Sequence, residues 1–301
     1  MPKRSAERTT RWLVSGPPTL FMLLFFLAPS LIMVLASFRY PGTFGGLAPM
    51  FGAGRPGEDT GLTLENYRFF LSDFIYVEIF IKSFAVALLS TLICLLMAYP
   101  LALLIARSPK GRRDLMVLLV ILPFASNFLI RVYALMILLG PQQALATSLN
   151  GALALFGLGR VNLLFSSFAV VVGMVYVHLP FMVLPLYTNL EKHDPALLDA
   201  AQDLGANGWQ RFWRVTFPLS LPGIFSGSAL VFIPVLGMFA IPDLLGGTRD
   251  ILIGNLIKDQ FLGTRDWPFG SMLSIMLTVV VLGFAAIAAR LSRRDGAREE
   301  A

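Results

Sequence analysis

The sequence predicts an all-α, polytopic membrane protein with six transmembrane helices, and three observations carry that expectation. Of its 301 residues, 56% are hydrophobic and 14% are charged, with a mean hydropathy of +0.73; a water-soluble domain averages about 25% charged residues. Charge-free runs cover Trp12–Phe38, Ser83–Ala106, Val161–Leu190, Val215–Pro242 and Trp267–Ala289, and Leu115–Leu139 is interrupted only by Arg131. Each reaches the roughly 20 residues that span a hydrocarbon core. No period-2 alternation is present, so helices rather than barrel strands satisfy the backbone in lipid.

In order, the spans are expected at about residues 17–38, 79–105, 115–139, 163–188, 222–243 and 268–290. Residues 1–16 and 291–301 form tails, 17–290 a single transmembrane domain, and 189–221 a loop. The first run is too long for a signal-peptide h-region, contains Pro17, Pro18 and Pro29, and lacks a small-x-small end, so it reads as an uncleaved span. Lys and Arg number fifteen on one set of loops and tails, including Lys3, Arg4, Arg8, Arg11, Arg107, Arg113, Arg211 and Arg290. The other set has seven: Arg39, Arg55, Arg68, Arg160, Arg249, Lys258 and Arg265. This asymmetry places both termini in the cytoplasm. The net charge of +6 belongs to these topology signals, since no aromatic-interleaved basic face for nucleic acid is present. Outside, residues 39–78 are rich in Gly and Pro before LTLENYRFFLSD, a segment fit to lie along the interface, and residues 140–162 are too broken by Gly to span.

Several chemistries are excluded. No lysine follows a glycine, so the phosphate-binding pattern G-x-x-x-x-G-K-[ST] is absent. His178, His193 and Cys94 offer no zinc constellation. Cys94 reads as a buried thiol, and His178, close to Pro180, as a packing residue. The chain has no ATPase site and no cofactor or metal is expected, so energy must come from a partner.

The clearest local signal is the loop EKHDPALLDAAQDLGANGWQRFWRVTFPLSLPGI. Asp194 can cap a helix that starts with Pro195, and Gly205 can end it in the left-handed region. A second short helix is expected to carry Trp209, Phe212 and Trp213 and to stop before Pro218. It also reads as an interfacial amphipathic helix anchored by those rings, which leaves the Ala-Ala-x-x-x-Gly stretch unexplained. Asp199-Ala200-Ala201, three residues, Gly205, nine residues and Val215-Thr216-Phe217-Pro218 resemble the "EAA" loop of ABC importer permeases. Asp stands for Glu, Val for Ile and Phe for Leu. The resemblance implies that Asp199, Ala200, Ala201, Gly205 and Pro218 belong to a coupling loop that docks an ATPase, and that the fold is that of a type I ABC importer permease.

Further stretches are similar to the spermidine/putrescine permeases, most of all to the first permease type of that system. They are Leu122-Pro123-Phe124 with Phe128–Ala134, Val231–Phe239, Pro242–Gly247, Leu252–Asn255 and Arg265–Pro268. The similarity implies polyamine import across the bacterial cytoplasmic membrane. It also implies a second homologous permease, two ATP-binding cassette subunits, an extracytoplasmic binding protein and the surrounding lipid as partners.

A polycation in the membrane needs acids, carbonyls and aromatic faces. Candidates for the substrate path are Tyr133, Phe239, Asp243 and Trp267. Asp243 reads two ways, as a partner for an ammonium group or as an ordinary polar residue at an outer helix end, and Tyr133 and Trp267 fit an aromatic belt equally. Arg131 is expected to bond backbone carbonyls or to snorkel. Glu78 and Lys82, four apart, are placed to pair, and Pro234 with Gly237 is expected to loosen span five and expose carbonyls. Rival readings are an ABC permease for another small solute, an ion-coupled secondary transporter, which would want inverted repeats and intramembrane acids, and a membrane scaffold.

Overall fold

The computed structural model describes residues 14–51, 59–155 and 159–299; Lys3, Arg4, Arg8, Arg11 and Arg55 of the charge count lie outside them. Among the described residues the chain is helical, with two isolated β-bridges, Arg39 with Leu62 and Pro41 with Leu47. Five helices are long and apolar enough to cross a membrane, and six when one bent pair counts as a span. These are α1 (Val14–Ser37), α3 (Phe74–Arg107), the pair α4 (Lys110–Ile121) and α5 (Phe128–Leu138), α7 (Ser167–Leu190), α9 (Gly208–Leu236) and α12 (Trp267–Glu299). Shorter helices are α2 (Glu65–Ser72), α6 (Ala144–Leu155), α8 (Pro195–Asp203), α10 (Ala240–Leu245) and α11 (Ile253–Leu262). Twelve residues of α6 are too few to cross hydrocarbon.

The third span differs from the expected single helix. Leu122–Ala125 tighten into a 3₁₀ turn containing Pro123, Ser126 is extended, and α5 restarts at a bend of 92°. Asn127 accepts the Leu129 amide at 2.8 Å and so caps the new helix. Averaged hydropathy does not register a cap, which is why the sequence reading ran through it.

The fifth span differs in the opposite sense. No stop occurs before Pro218, and the helix that begins at Gly208 continues to Leu236. Phe212–Thr216 form a π turn in which the Phe217 amide reaches the Phe212 carbonyl. A proline clashes with the carbonyl four residues back and lacks an N–H for it. The one-residue register shift moves that carbonyl aside, so the helix absorbs Pro218 instead of ending. The same device recurs in α1, where Leu23–Leu27 are π-helical and Ala28 donates to Leu23 just before Pro29.

The chain divides into two compact units, residues 1–77 with 256–301, and residues 78–255. In the first, α12 packs along α1 and against α2. Asn66, buried, donates to the Ser37 and Arg39 carbonyls at 3.0 Å each, and the Gly46 amide reaches the Arg265 carbonyl at 2.8 Å. Phe69, Tyr76 and Phe269 pack edge to face or tilted.

In the second unit, α7 and α9 pack side by side through small residues. A Cβ at Gly227 would lie 2.8 Å from Met182 Sδ, and one at Gly173 would lie 2.6 Å from Leu245 of α10. Cys94 is buried, with its thiol 3.7 Å from the Val175 carbonyl. His178 is buried and its Nδ1 donates to the Met174 carbonyl at 2.8 Å, the packing role read from the sequence.

Candidate functional site

The loop singled out in the sequence is a folded object. Asp194 accepts the Ala196 amide at 2.9 Å and Pro195 opens α8. At the far end the Ala206 amide reaches the Ala201 carbonyl at 3.0 Å and the Gly205 amide reaches Gln202 at 2.8 Å. This is a Schellman closure with Gly205 at φ +81°, the left-handed residue it needs. Asn207 and Gln210 then form a reciprocal capping box that starts α9. Arg211 Nη1 to Gln202 Oε1, 2.7 Å, ties α9 back to α8. Asp199 and Ala200 are exposed on α8, Ala201 is half-buried, and the space over Gly205 is open. Pro218 lies inside α9, about three turns from its start at Gly208.

The rings of this loop divide their work. Phe212 packs on Tyr99 of α3 with centroids 5.6 Å apart, and the Tyr99 hydroxyl lies 2.9 Å from Ser220 Oγ. Trp209 stays 70% exposed. One ring locks the loop to the bundle and the other faces outward. At the same end, Arg113 bridges Glu191 at 2.7 Å, joining two loops that the charge count puts on one side.

At the opposite end of this unit the substrate-path candidates are only partly brought together. Phe239 is the N-cap of α10 and Asp243 lies one turn on, its amide donating to the Phe239 carbonyl at 3.1 Å. Asn255, which the sequence reading missed, joins them: its Nδ2 donates to the Phe239 carbonyl at 3.0 Å and to the Asp243 carboxylate. Its Oδ1 accepts the Leu252 amide. Tyr133 lies on α5, which packs on α10, and is 48% exposed. Trp267 belongs to the other unit.

Two side-chain expectations are corrected, and a third gains a contact. Lys82 pairs with Asp250 at 3.2 Å rather than with Glu78. Arg131 lies 4.8 Å over the Phe124 ring. The Gly237 and Met238 carbonyls are covered by Gly254, where a Cβ would come within 2.6 and 2.8 Å of them. Helix α9 ends at Gly237, so the chain turns there and closes against α11.

Asp250 is the buried acid that the sequence reading passed over. Its Oδ1 takes Lys82 and the Ser167 hydroxyl, and its Oδ2 takes the Gly247 amide at 3.0 Å. Burial raises its carboxyl pKa, but the Ser167 hydroxyl, the Gly247 amide and Lys82 outweigh that and hold it below its ordinary value. No group of three or more His, Cys, Asp or Glu that could hold a metal occurs among the described residues.

The described residues thus form membrane-length helices with an ordered helix–turn–helix loop at one end. The chain belongs to the family described as binding-protein-dependent transport system inner membrane component, whose model matches residues 98–294. It is therefore a multi-pass inner-membrane transport component. It is 46% identical over 221 residues to the spermidine/putrescine transport system permease protein PotB of Escherichia coli (strain K12), covering 73% of this chain and 78% of that one. It is 45% identical over 222 residues to PotB of Haemophilus influenzae, covering 73% and 76%. A more distant relative, the molybdenum transport system permease protein ModB of Mycobacterium bovis, is 32% identical over 207 residues, covering 65% and 74%. Among solved structures, a chain of a bacterial ABC transporter that imports alginate superposes with a TM-score of 0.72 at 20% identity, covering 97% of this chain and 99% of that one. That likeness establishes the fold.

Proposed function

We propose that this chain is the permease subunit of an ATP-driven importer of polyamines, the spermidine/putrescine class, working by alternating access. The observation that carries the substrate class is the 46% identity over 73% of the chain to spermidine/putrescine permeases. Partner subunits hydrolyse the ATP, a second homologous permease completes the path, and a binding protein delivers cargo on the face opposite the ATPases. A similar-fold importer has been solved with its loaded periplasmic protein. Both termini lie in the cytoplasm in this reading, in line with the basic-residue asymmetry.

The geometry supplies the mechanics. Helix α8 is presented ready-made, with Ala200 and Gly205 leaving room for close approach. Movement of α8 passes through the Arg211–Gln202 bond and the capping box into α9. That helix of 29 residues is about 43 Å long at 1.5 Å per residue, and it ends where Gly237 and Met238 meet Gly254. A push at the docking end is thus delivered to α10, which carries Phe239 and Asp243. Asn255 keeps the Asp243 carboxylate oriented for an ammonium group while Phe239 offers a ring face.

Asp243→Asn keeps shape but removes the charge that offsets desolvation of the cation, so transport efficiency should fall about ten- to a hundredfold. Phe239→Leu should cost less. Uptake of labelled spermidine and putrescine is measured in cells lacking other importers, with complex abundance checked by blot. Unchanged uptake by Asp243→Asn, with the complex at full abundance, would remove Asp243 from the path.

A further inference from the structure

Asp250 is the one acid among the described residues that is buried, at 8% exposure, and it lies outside the Phe239–Asp243 cluster. Its surroundings have the composition of a primary-ammonium site. The carboxylate Oδ1 and the adjoining Arg249 carbonyl both accept from the Lys82 ammonium, while the Ser167 hydroxyl and the Gly247 amide hold the carboxylate still. An R–NH₃⁺ group has three N–H donors and no acceptor, and a fixed carboxylate with a neighbouring carbonyl is what it needs. The acceptors come from one short loop and the cation from a different helix.

The two partners are unequal. The Lys82 side chain is 33% exposed and the Asp250 side chain 9%. The cation is a flexible, half-wet arm, whereas the anion is fixed by the backbone. A cavity of about 650 Å³, bounded by Phe165, Ser166, Ser167 and residues 246–250, opens beside the carboxylate, and Lys82 is not part of its wall. Asp250 therefore has one approach filled by Lys82 and a second from the cavity. Close packing builds that wall. Phe165 takes φ +56°, and Gly247 sits so near the Phe165 carbonyl that a Cβ would come within 2.6 Å.

We propose that the Asp250 carboxylate and the Arg249 carbonyl form an ammonium-binding station, with the Lys82 ammonium as a resident occupant that a primary alkylammonium or polyamine entering the cavity displaces. The station's place on the cargo route rests on the polyamine reading; its ammonium chemistry does not.

The test uses the assembled transporter carrying Thr248→Cys, an exposed position on the cavity wall. The rate of its labelling by a thiol reagent is followed against n-butylamine, 1,4-diaminobutane and tetramethylammonium. Removing the resident cation with Lys82→Met should lower the half-protecting concentration of butylamine at least about tenfold, the scale of one charge-assisted contact no longer competed for. Adding Asp250→Asn should abolish protection. Tetramethylammonium, which has no N–H to donate, should protect poorly throughout. Protection that is the same with and without Lys82, or that survives Asp250→Asn, overturns the proposal, as does the absence of protection in Lys82→Met. Should Lys82→Met fail to assemble, Asp250→Asn with Lys82 intact decides: lost butylamine protection supports the station and retained protection overturns it. A transporter that shows alkylamine protection yet imports no labelled spermidine keeps the station and loses the polyamine reading. One that imports spermidine without any protection loses the station alone.

Discussion

The two ends of the central unit are built on different principles. The end proposed to dock the ATPases, residues 194–217, takes its internal shape from contacts between near neighbours in sequence, namely an Asx cap, a Schellman closure, a capping box and one Arg–Gln bond nine residues apart, and Phe212 on Tyr99 ties it to the bundle. It is exposed, and it would keep its shape if nothing else in the chain moved. The other end is held by side chains far apart in sequence. Asp250 draws in Ser167 from 83 residues away and Lys82 from 168, and Asn255 clamps Phe239 and Asp243. In the proposed mechanism a partner pushes on the first end without deforming it, whereas the second end changes only when buried polar contacts break. Rigidity where force is proposed to enter and breakable bonds where the path is proposed to open is the division of labour that this mechanism requires.

The largest test of this contrast is Asp250→Ala. It takes the acceptor from the Ser167 hydroxyl and the Gly247 amide and leaves the Lys82 ammonium with the Arg249 carbonyl alone. Losing one member of a buried pair costs about 3–5 kcal/mol. Lys82 is a third exposed, and water then takes part of the load, so about 2–3 kcal/mol is expected. A lower thermal midpoint of the purified protein, with unchanged spectra of α-helix before melting, is the signature. The pH dependence has a definite sign. The folded carboxyl titrates below the unfolded value near 3.9, so its stabilisation is complete above about pH 4 and is lost as pH falls through the folded value. Melting between pH 5 and 8 should be flat on this account, and Asp250→Asn should remove part of the acid limb below pH 4. An unchanged midpoint in Asp250→Ala would mean that the outer junction carries no load.

At the docking end the effects separate into function and stability. Gly205→Ala must hold φ +81° with a Cβ, at about 1 kcal/mol, and nothing lies within 4 Å to clash. Gly205→Glu adds bulk and charge on the open face. Both should assemble, and only the Glu variant should abolish stimulation of ATPase activity by loaded binding protein in the purified complex. Full stimulation by Gly205→Glu would take this loop out of docking. The smallest effect is expected from the caps. Asp194→Ala and Asn207→Ala should each cost about 1 kcal/mol, read as faster proteolysis within residues 194–217 and no change elsewhere. Faster cleavage near residue 250 in these variants would show that the two ends are not independently held.

This division also explains what could be read from the sequence. The spans were legible because hydropathy is a property of consecutive residues, and α8 was legible because Asp194, Pro195 and Gly205 act within a few positions of themselves. Pro218 misled, since proline stops a helix unless the preceding turn widens, and nothing in the letters announces a π turn. The break at Ser126–Asn127 had a local cue, an Asn before an apolar run, hidden by the hydrophobicity on both sides. Asp250, Ser167 and Asn255 were invisible for a different reason: each is an ordinary polar residue until distant segments arrive beside it.

The bend in the third membrane segment also says which part of the surface lipid does not cover. Two legs meeting at 92° cannot both follow the bilayer normal, so when one crosses the other lies nearly flat. At the corner the helical ladder gives way to the bond from the Ser126 amide to the Pro123 carbonyl and to the Asn127 cap, and hydrocarbon does not tolerate the backbone groups left open. A polar or proteinaceous cover over residues 122–128 is the expected arrangement. The annulus of lipid around this subunit should then have a gap there, and a spin label placed along α4 and α5 should find oxygen, which prefers lipid, scarce at the corner and plentiful on the outward side of the first leg.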